Sequence, residues 1–147
     1  MPSTGLPTFD KTLQESNLWL KELSAILKVR DRETAYRILR ATLHALRDRL
    51  GAHNAVHLGA QLPMLLRGLY YEGFRLDESS TAERHLKPFL DHVRMELPPG
   101  LDAHVEQGVR GVFWLIYDKL DKGEVAKIER ILPQEIRELM PPADVVG

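Results

Sequence analysis

The amino-acid sequence predicts an all-α fold of eight helices, arranged as two tandem four-helix repeats that share one core. Self-similarity at a fixed period defines a structural unit, and the two halves of this chain align without a gap at an offset of 70 residues. Apolar residues recur at helical spacing, and no stretch shows the sustained alternation of a β-strand. Matched positions include Trp19 with Phe89, Leu43 with Phe113, and Leu62-Pro63 with Leu132-Pro133.

In the first repeat, about residues 8–74, most of the predicted helices are bounded by a residue that suits a helix end. Thr8 or Asp10 can cap the first helix and Asp31 the second, because their side chains accept hydrogen bonds from first-turn amides. Gly51 can end a helix, and Pro63 is tolerated in a first turn. The four predicted helices span about residues 8–28, 31–50, 53–60 and 63–72.

The second repeat, about residues 80–141, follows the same plan. Pro88 is expected in a first turn, because a proline in a helix interior costs about 3 kcal/mol. Residues 98–100, Pro-Pro-Gly, interrupt the helical pattern and separate two helices. A connector rich in Asp, Ser and Thr occupies 77–81. The predicted helices span about 88–97, 102–120, 123–131 and 133–140. We expect flexible tails at 1–7 and 142–147 and, without a linker between the repeats, a single helical domain over 8–141.

The composition is that of an ordinary globular protein. Of the 147 residues, 44% are hydrophobic and 28% are charged, and the formal net charge is −1. No apolar run approaches the roughly 18 residues that span a bilayer, and the N-terminus lacks the features of a signal peptide. The absence of cysteine excludes disulfides and thiol chemistry. We therefore expect a cytoplasmic protein without membrane contact.

Three stretches resemble a known bacterial family. They are Phe9-Asp10-x-Thr12-Leu13-Gln14, the run RATLHALRDRL at 40–50, and above all AQLPMLLRGLYYEGF at 60–74. The second half carries a weaker echo, Leu132-Pro133-x-Glu135-Ile136-Arg137-x-Leu139. Together these stretches are similar to the domain of unknown function 2267 family over about residues 9–141, although Phe74 stands where such sequences often carry tryptophan. The resemblance implies a helical fold and a bacterial, cytoplasmic setting. It implies no catalytic residue and no cofactor, because the family's function is not established.

Two patterns suggest a metal site only superficially. His53 and His57 lie one helical turn apart, yet zinc requires three or four ligands and no further ligand stands at a diagnostic spacing. The segment 118–129 has the Asp, Gly and Glu of a calcium-binding loop, but Leu120 and Lys122 occupy positions that must supply oxygen. We expect no metal and interpret the segment as a joint between two helices.

An arginine arc on the second helix raises a nucleic-acid or anion-binding hypothesis. Arg30, Arg37, Arg40 and Arg47 fall within a narrow arc opposite the apolar stripe, at about 100° per residue. Phosphate binding there would weaken steeply with salt. However, Glu33 interrupts the arc, no aromatic residues interleave, and the chain is not basic. A solvated helix face is the favoured interpretation.

The sequence offers no catalytic motif. It lacks a nucleophile elbow, a P-loop and a dinucleotide-binding fingerprint. A small-molecule or enzymatic site between the repeats, lined by His44, Tyr70 and Glu72, stays an alternative. His44 matches Trp114 in the repeat, which favours a packing position with its nitrogens hydrogen-bonded.

The fourth helix departs most from the internal symmetry. Met64, Leu65 and Gly68 have polar counterparts in the last helix. Those counterparts are Gln134, Glu135 and Glu138. A helix that is apolar on every side is normally buried on every side, so the favoured interpretation places this helix centrally, with Gly68 admitting a close neighbour. The alternative exposes Met64, Gly68 and Tyr71 on the surface as a docking patch for a partner or a second subunit.

The sequence therefore predicts a non-enzymatic helical module that binds a protein partner or a second copy of itself. No cofactor is expected, and the composition argues against nucleic acid. The proposed partner-binding residues lie on the fourth helix and just after it. They are Met64, Gly68, Tyr70, Tyr71 and Phe74.

Overall fold

The computed structural model describes residues 4–76 and 84–142, and in that part of the chain it contains eight α-helices and no strand. The predicted all-α class is confirmed. The helices are α1 (Pro7–Leu27), α2 (Arg32–Leu50), α3 (Ala52–Ala60), α4 (Met64–Tyr71), α5 (Leu86–Arg94), α6 (Val105–Lys119), α7 (Lys122–Ile131) and α8 (Gln134–Arg137). The predicted connector at 77–81, and residues 1–3 and 143–147 of the predicted tails, lie outside the described residues.

Local sequence explains most of the helix ends. Asp31 caps α2, with its Oδ1 accepting a hydrogen bond from the Thr34 amide at 3.0 Å. Gly51 ends α2 with a φ of 82°, a conformation that favours glycine. The predicted cap of α1 is wrong: neither Thr8 nor Asp10 caps it, because the helix already begins at Pro7. A proline fits there since its missing N–H would be unpaired in a first turn.

Three helices of the second half, α5, α6 and α8, are shorter than predicted. Helix α5 ends at Arg94 rather than near residue 97, and prolines follow at 98 and 99. The residue before a proline is disfavoured in the helical conformation, so the helix must stop ahead of them. Helix α8 ends at Arg137, and tight turns lead from there to another proline pair at 141 and 142. Residues 102–104 form a 3-10 turn ahead of α6 rather than its first turn.

Helices α2 and α6 lie at the centre of the fold. Helix α2 packs against α1, α3, α4, α5 and α6, and α6 packs in turn against α1, α5 and α7. Gly111 allows close approach of α1, because a Cβ there would lie 2.8 Å from Leu27 Cδ2. Buried side chains from both halves form one apolar cluster, in which Phe89 of α5 meets Phe113 of α6 edge to face. In the described part of the chain, every helix is too short or too polar to cross a membrane.

Candidate functional site

Helix α4 presents an apolar outer face to solvent. Its inner residues Leu66 and Tyr70 are buried, whereas Met64 and Leu65 are 51% and 49% exposed and Gly68 is exposed. A Cβ added to Gly68 would meet no atom within 4 Å. The expectation that α4 is buried on every side, with Gly68 admitting a neighbouring helix, is therefore wrong. Helices α1, α2 and α3 cover only the inner side of α4.

This face continues across α1. Phe9 is 51% exposed and lies with Leu13 beside Met64, Leu65 and Gly68 around an almost wholly apolar hollow of about 340 Å³. A second hollow of about 340 Å³ shares part of this lining and extends along both helices. Its lining includes Leu20, Tyr36, Leu65, Gly68 and Glu72. We call the two hollows together the α1–α4 groove.

Only some of the proposed partner-binding residues line the α1–α4 groove. Met64 and Gly68 line the α1–α4 groove. Tyr70 does not, because it is completely buried and its hydroxyl donates a 2.6 Å hydrogen bond to the carbonyl of Ala55; this burial raises its pKa. Tyr71 and Phe74 are half-buried and lie in ring contact at 5.9 Å near the C-terminal end of α4. The predicted exposure of Tyr70 as a binding residue is therefore wrong.

The N-terminal end of α4 is held from outside the helix. Pro63 precedes it and supplies no side-chain cap. Instead, Thr12 of α1 accepts a hydrogen bond from the Leu65 amide at 2.9 Å. Arg67 donates to the carbonyls of Gly59 and Leu62, both at 3.0 Å. These bonds attach the first turn of α4 to α1 and to the end of α3.

The C-terminal end of α4 is held by Arg47 of α2. Its side chain is 5% exposed, and Nη1 donates to the carbonyls of Tyr70 and Glu72, each at 2.8 Å. The last carbonyls of a helix lack partners within it and carry a partial negative charge, so a buried cation there is favourable. The Nε atom also donates to Asp48 Oδ1 at 2.8 Å. Arg47 is thus part of the fold's interior.

His44 lies one turn earlier on α2 and is buried with both ring nitrogens engaged. Nδ1 lies 2.8 and 3.0 Å from the two carboxylate oxygens of Glu96, and Nε2 lies 2.7 Å from the carbonyl of Leu69. Arg40 donates to Glu96 and to Glu72, each at 3.0 Å. We call His44, Arg40, Arg47, Glu72 and Glu96 the α2 polar cluster.

Charge in the α2 polar cluster governs the ionisation of Glu96. Burial on its own raises the pKa of this carboxyl. The hydrogen bond from His44 and the positive charges of His44, Arg40 and Arg47 outweigh burial and hold the pKa below its ordinary value. Glu96 is therefore an ionised carboxylate that joins the segment after α5 to α2.

The arginine arc is not a shared binding face. Arg30 is exposed but precedes α2, and Arg37 is exposed and pairs with Glu33 at 3.3 Å. Arg40 is partly buried between two glutamates, and Arg47 is buried. The expectation that all four guanidinium groups share one solvent-exposed arc is wrong, because the C-terminal half of α2 is enclosed by α4 and α5.

Two other predicted sites have simple structural explanations. His44 and Tyr70 do not line an open crevice with Glu72, because both are buried and hydrogen-bonded. In the segment 118–129, Leu120 is buried and Asp121 caps α7, so this segment is a helix joint. Residues 4–76 and 84–142 contain no group of three or more His, Asp or Glu side chains placed to hold a metal ion.

Sequence reasoning did not find the role of Arg47 or of Glu96. One available signal was the break in internal symmetry: His44 and Arg47 correspond to Trp114 and Tyr117 in the second half. A buried histidine and a buried arginine at positions that the other half fills with aromatic rings indicate a role beyond packing. Glu96 carried no such signal, because its partner is 52 residues away in the chain.

A comparison with protein-family models explains the resemblance noted above. The family model described as "Uncharacterized conserved protein (DUF2267)" matches residues 16–139. The chain belongs to this family. The matched region begins within α1 and includes α4 and the α2 polar cluster, but not Phe9 or Leu13 of the α1–α4 groove. No curated protein matches the chain.

Proposed function

We propose that this DUF2267 protein is a non-catalytic helical module that self-associates, with the α1–α4 groove of one copy binding the same surface of a second. The same proposal includes a cytoplasmic setting and an architecture made by duplication of a four-helix unit. Three observations support it: the matching joints of the two halves, the unequal outer faces of α4 and α8, and the fixed position of α4.

The joints before α4 and α8 match closely. The carbonyls of Pro63 and Pro133 each accept a 2.8 Å hydrogen bond from the amide four residues later. The side chains of Arg67 and Arg137 donate to the carbonyls five residues earlier, at 3.0 and 2.9 Å. Packing is also paired: α1 contacts α6 as α5 contacts α2. These pairings are what two equivalent units related by a pseudo-two-fold axis would give.

The unequal outer faces are the observation that carries the functional proposal. Residues 64, 65 and 68 are exposed, and so are residues 134, 135 and 138 at the matching positions. The first set is Met, Leu and Gly, and the second is Gln, Glu and Glu. Since the fold accepts polar residues at these positions in α8, it does not itself demand apolar ones in α4. An exposed apolar surface that folding does not require is typical of an interface.

A second copy is the partner that this surface suits best. A two-fold interface uses one patch twice, so the patch must contain both projecting groups and hollows. The α1–α4 groove has both: Phe9 and Leu65 project, and Gly68 leaves open space beside them. Bonds from Thr12 and Arg47 hold both ends of α4 before any partner binds. Such preorganisation lowers the entropic cost of association.

The test compares two matched charge substitutions, Leu65→Glu and Val56→Glu. Both residues are apolar and half exposed, at 49% and 50%, but Val56 lies on α3 outside the groove. In sedimentation velocity over a concentration series, wild type and Val56→Glu should form dimers. Leu65→Glu should weaken dimerisation at least about tenfold, equivalent to about 1.4 kcal/mol, because it buries an unpaired carboxylate in the contact.

Two results would contradict the proposal. A wild-type protein that stays monomeric at its highest soluble concentration does not self-associate. Equal weakening by Leu65→Glu and Val56→Glu would place any dimer contact elsewhere. Binding of a different protein by a monomeric wild type, abolished by Leu65→Glu alone, would keep the surface but replace the second copy as its occupant.

A further inference from the structure

His44 is surrounded by groups that can only accept hydrogen bonds. The carbonyl of Leu69, 2.7 Å from Nε2, has no proton to give, so Nε2 must carry one. The carboxylate of Glu96 faces Nδ1 with both oxygens, and Arg40 already donates to one of them. A carboxylate that accepts from the Arg40 guanidinium is ionised and can only accept, so the ring nitrogen that faces it, Nδ1, carries a proton as well. The geometry therefore describes an imidazolium ion.

We propose that His44 is a proton-sensitive latch that holds the C-terminal end of α4 and the segment after α5 onto α2. The doubly protonated ring joins the Leu69 carbonyl on one side to Glu96 on the other. Loss of either proton turns one of these bonds into a contact between two acceptors. The latch is closed while His44 is an imidazolium and opens when it becomes neutral.

Charged groups around His44 come from α2 itself, from the end of α4 and from the α5 side. Helix α2 itself contributes Arg40, Arg47 and Asp48, and the end of α4 contributes Glu72. The α5 side contributes Glu96 and, 3.3 Å from Asp48, His92. The nearest charge to Nδ1 is the Glu96 carboxylate, whose closer oxygen lies 2.8 Å away.

Acid conditions act on Glu96, the hydrogen-bond partner of His44. The folded-state pKa of Glu96 lies below its ordinary value of 4.5. The stabilisation of the fold by its carboxylate is therefore fully present above pH 4.5. This stabilisation is lost as the pH falls through the lower folded-state pKa. The pH range in which the latch is closed therefore has an acid limit, set by protonation of Glu96, and an alkaline limit, set by deprotonation of His44.

The second half has no equivalent latch. Trp114 stands at the position of His44, and Ile26 stands at the position that matches Glu96. Arg110, the counterpart of Arg40, still reaches the end of the last helix and donates to the Glu138 carbonyl at 3.2 Å. Arg40, in contrast, donates to the carboxylates of Glu72 and Glu96. The buried histidine with its glutamate partner thus belongs to the first half, behind the apolar face of α4.

The test follows the His44 ring and the α4 amides together by NMR. Nitrogen chemical shifts distinguish neutral from protonated imidazole, and His44→Gln identifies the signal. In a titration upward from about pH 5, the acid end of the range in which histidine changes charge, both nitrogens of His44 should start protonated. Amide exchange protection over residues 68–72 should fall at least about fivefold as one proton leaves, after correction for intrinsic exchange, while α7 amides stay unchanged.

Two conservative variants move the alkaline limit in opposite directions. Glu96→Gln removes the negative charge beside Nδ1, so His44 should lose its proton, and α4 its protection, at lower pH. Arg40→Gln removes a competing positive charge, so both events should move to higher pH. The proposal is overturned if His44 carries a single proton across the whole range. It is equally overturned if α4 protection does not follow His44 in the wild type and both variants.

Discussion

Replacing Arg47 with methionine is expected to lower the free energy of unfolding by about 3 kcal/mol, because removing one partner of a buried charged network leaves the others unpaired. Methionine can fill the space of the aliphatic stem but donates no hydrogen bond. The carbonyls of Tyr70 and Glu72 and the carboxylate of Asp48 would each lose a donor at 2.8 Å. Urea denaturation followed by circular dichroism measures the loss.

Arg37→Met is the matched control for Arg47→Met. Arg37 lies on the same helix but is exposed and pairs with Glu33 one turn away, at 3.3 Å. Pairs of this kind contribute about 0.3–0.5 kcal/mol, so the control should change stability by no more than that. Equal effects of the two substitutions would show that Arg47 does not hold α4 as described.

Replacing Phe113 with alanine is expected to destabilise the protein by about 3–5 kcal/mol, the usual cost of deleting a buried aromatic ring. Phe113 is completely buried on α6 and meets Phe89 edge to face with ring centroids 6.3 Å apart. Its loss removes apolar contacts and leaves a cavity that the rigid surroundings fill only in part. Thermal and chemical denaturation both measure this effect.

Phe9→Ala provides the comparison for Phe113→Ala. Phe9 is half exposed in the α1–α4 groove, so its substitution should cost less than about 1 kcal/mol of monomer stability. It should nevertheless weaken dimerisation, because Phe9 projects from the proposed contact. If Phe113→Ala costs no more than Phe9→Ala, the two halves do not share the interior described above.

The helical class was predictable because its signals are local. Apolar spacing, the Asp31 cap, the glycine at 51 and the prolines at 63 and 133 act within a few residues of the helix ends that they define. The ends of α5 and α8 were less predictable, since proline pairs a few residues further on shorten these helices. Where these helices end depends on the backbone conformation of the residues between the helix and the prolines, and apolar periodicity does not describe that conformation.

The position of α4 was not predictable, because composition states what a helix could bury but not which neighbours cover it. Leu66 and Tyr70 alone satisfy the interior, and Met64 and Leu65 remain outside. For Arg47 the wrong prediction was the reverse one, since the residue was expected in solvent and is buried. A helical wheel places it opposite the apolar stripe of α2, where water is the default neighbour. The neighbour is in fact the carbonyl end of α4, a contact between residues more than 20 apart in the chain.

The central claim is that the outer face of α4 serves association and not folding. Exchanging that face for the one on α8 tests this claim most directly, through the triple substitution Met64→Gln, Leu65→Glu and Gly68→Glu. We predict that sedimentation equilibrium will show a monomer where the wild type dimerises. Urea denaturation should show a monomer at least as stable as before, since glutamate is more favourable than glycine in a helix by roughly 0.5 kcal/mol. Loss of folding in the triple variant, or a dimer as strong as that of the wild type, would contradict the account.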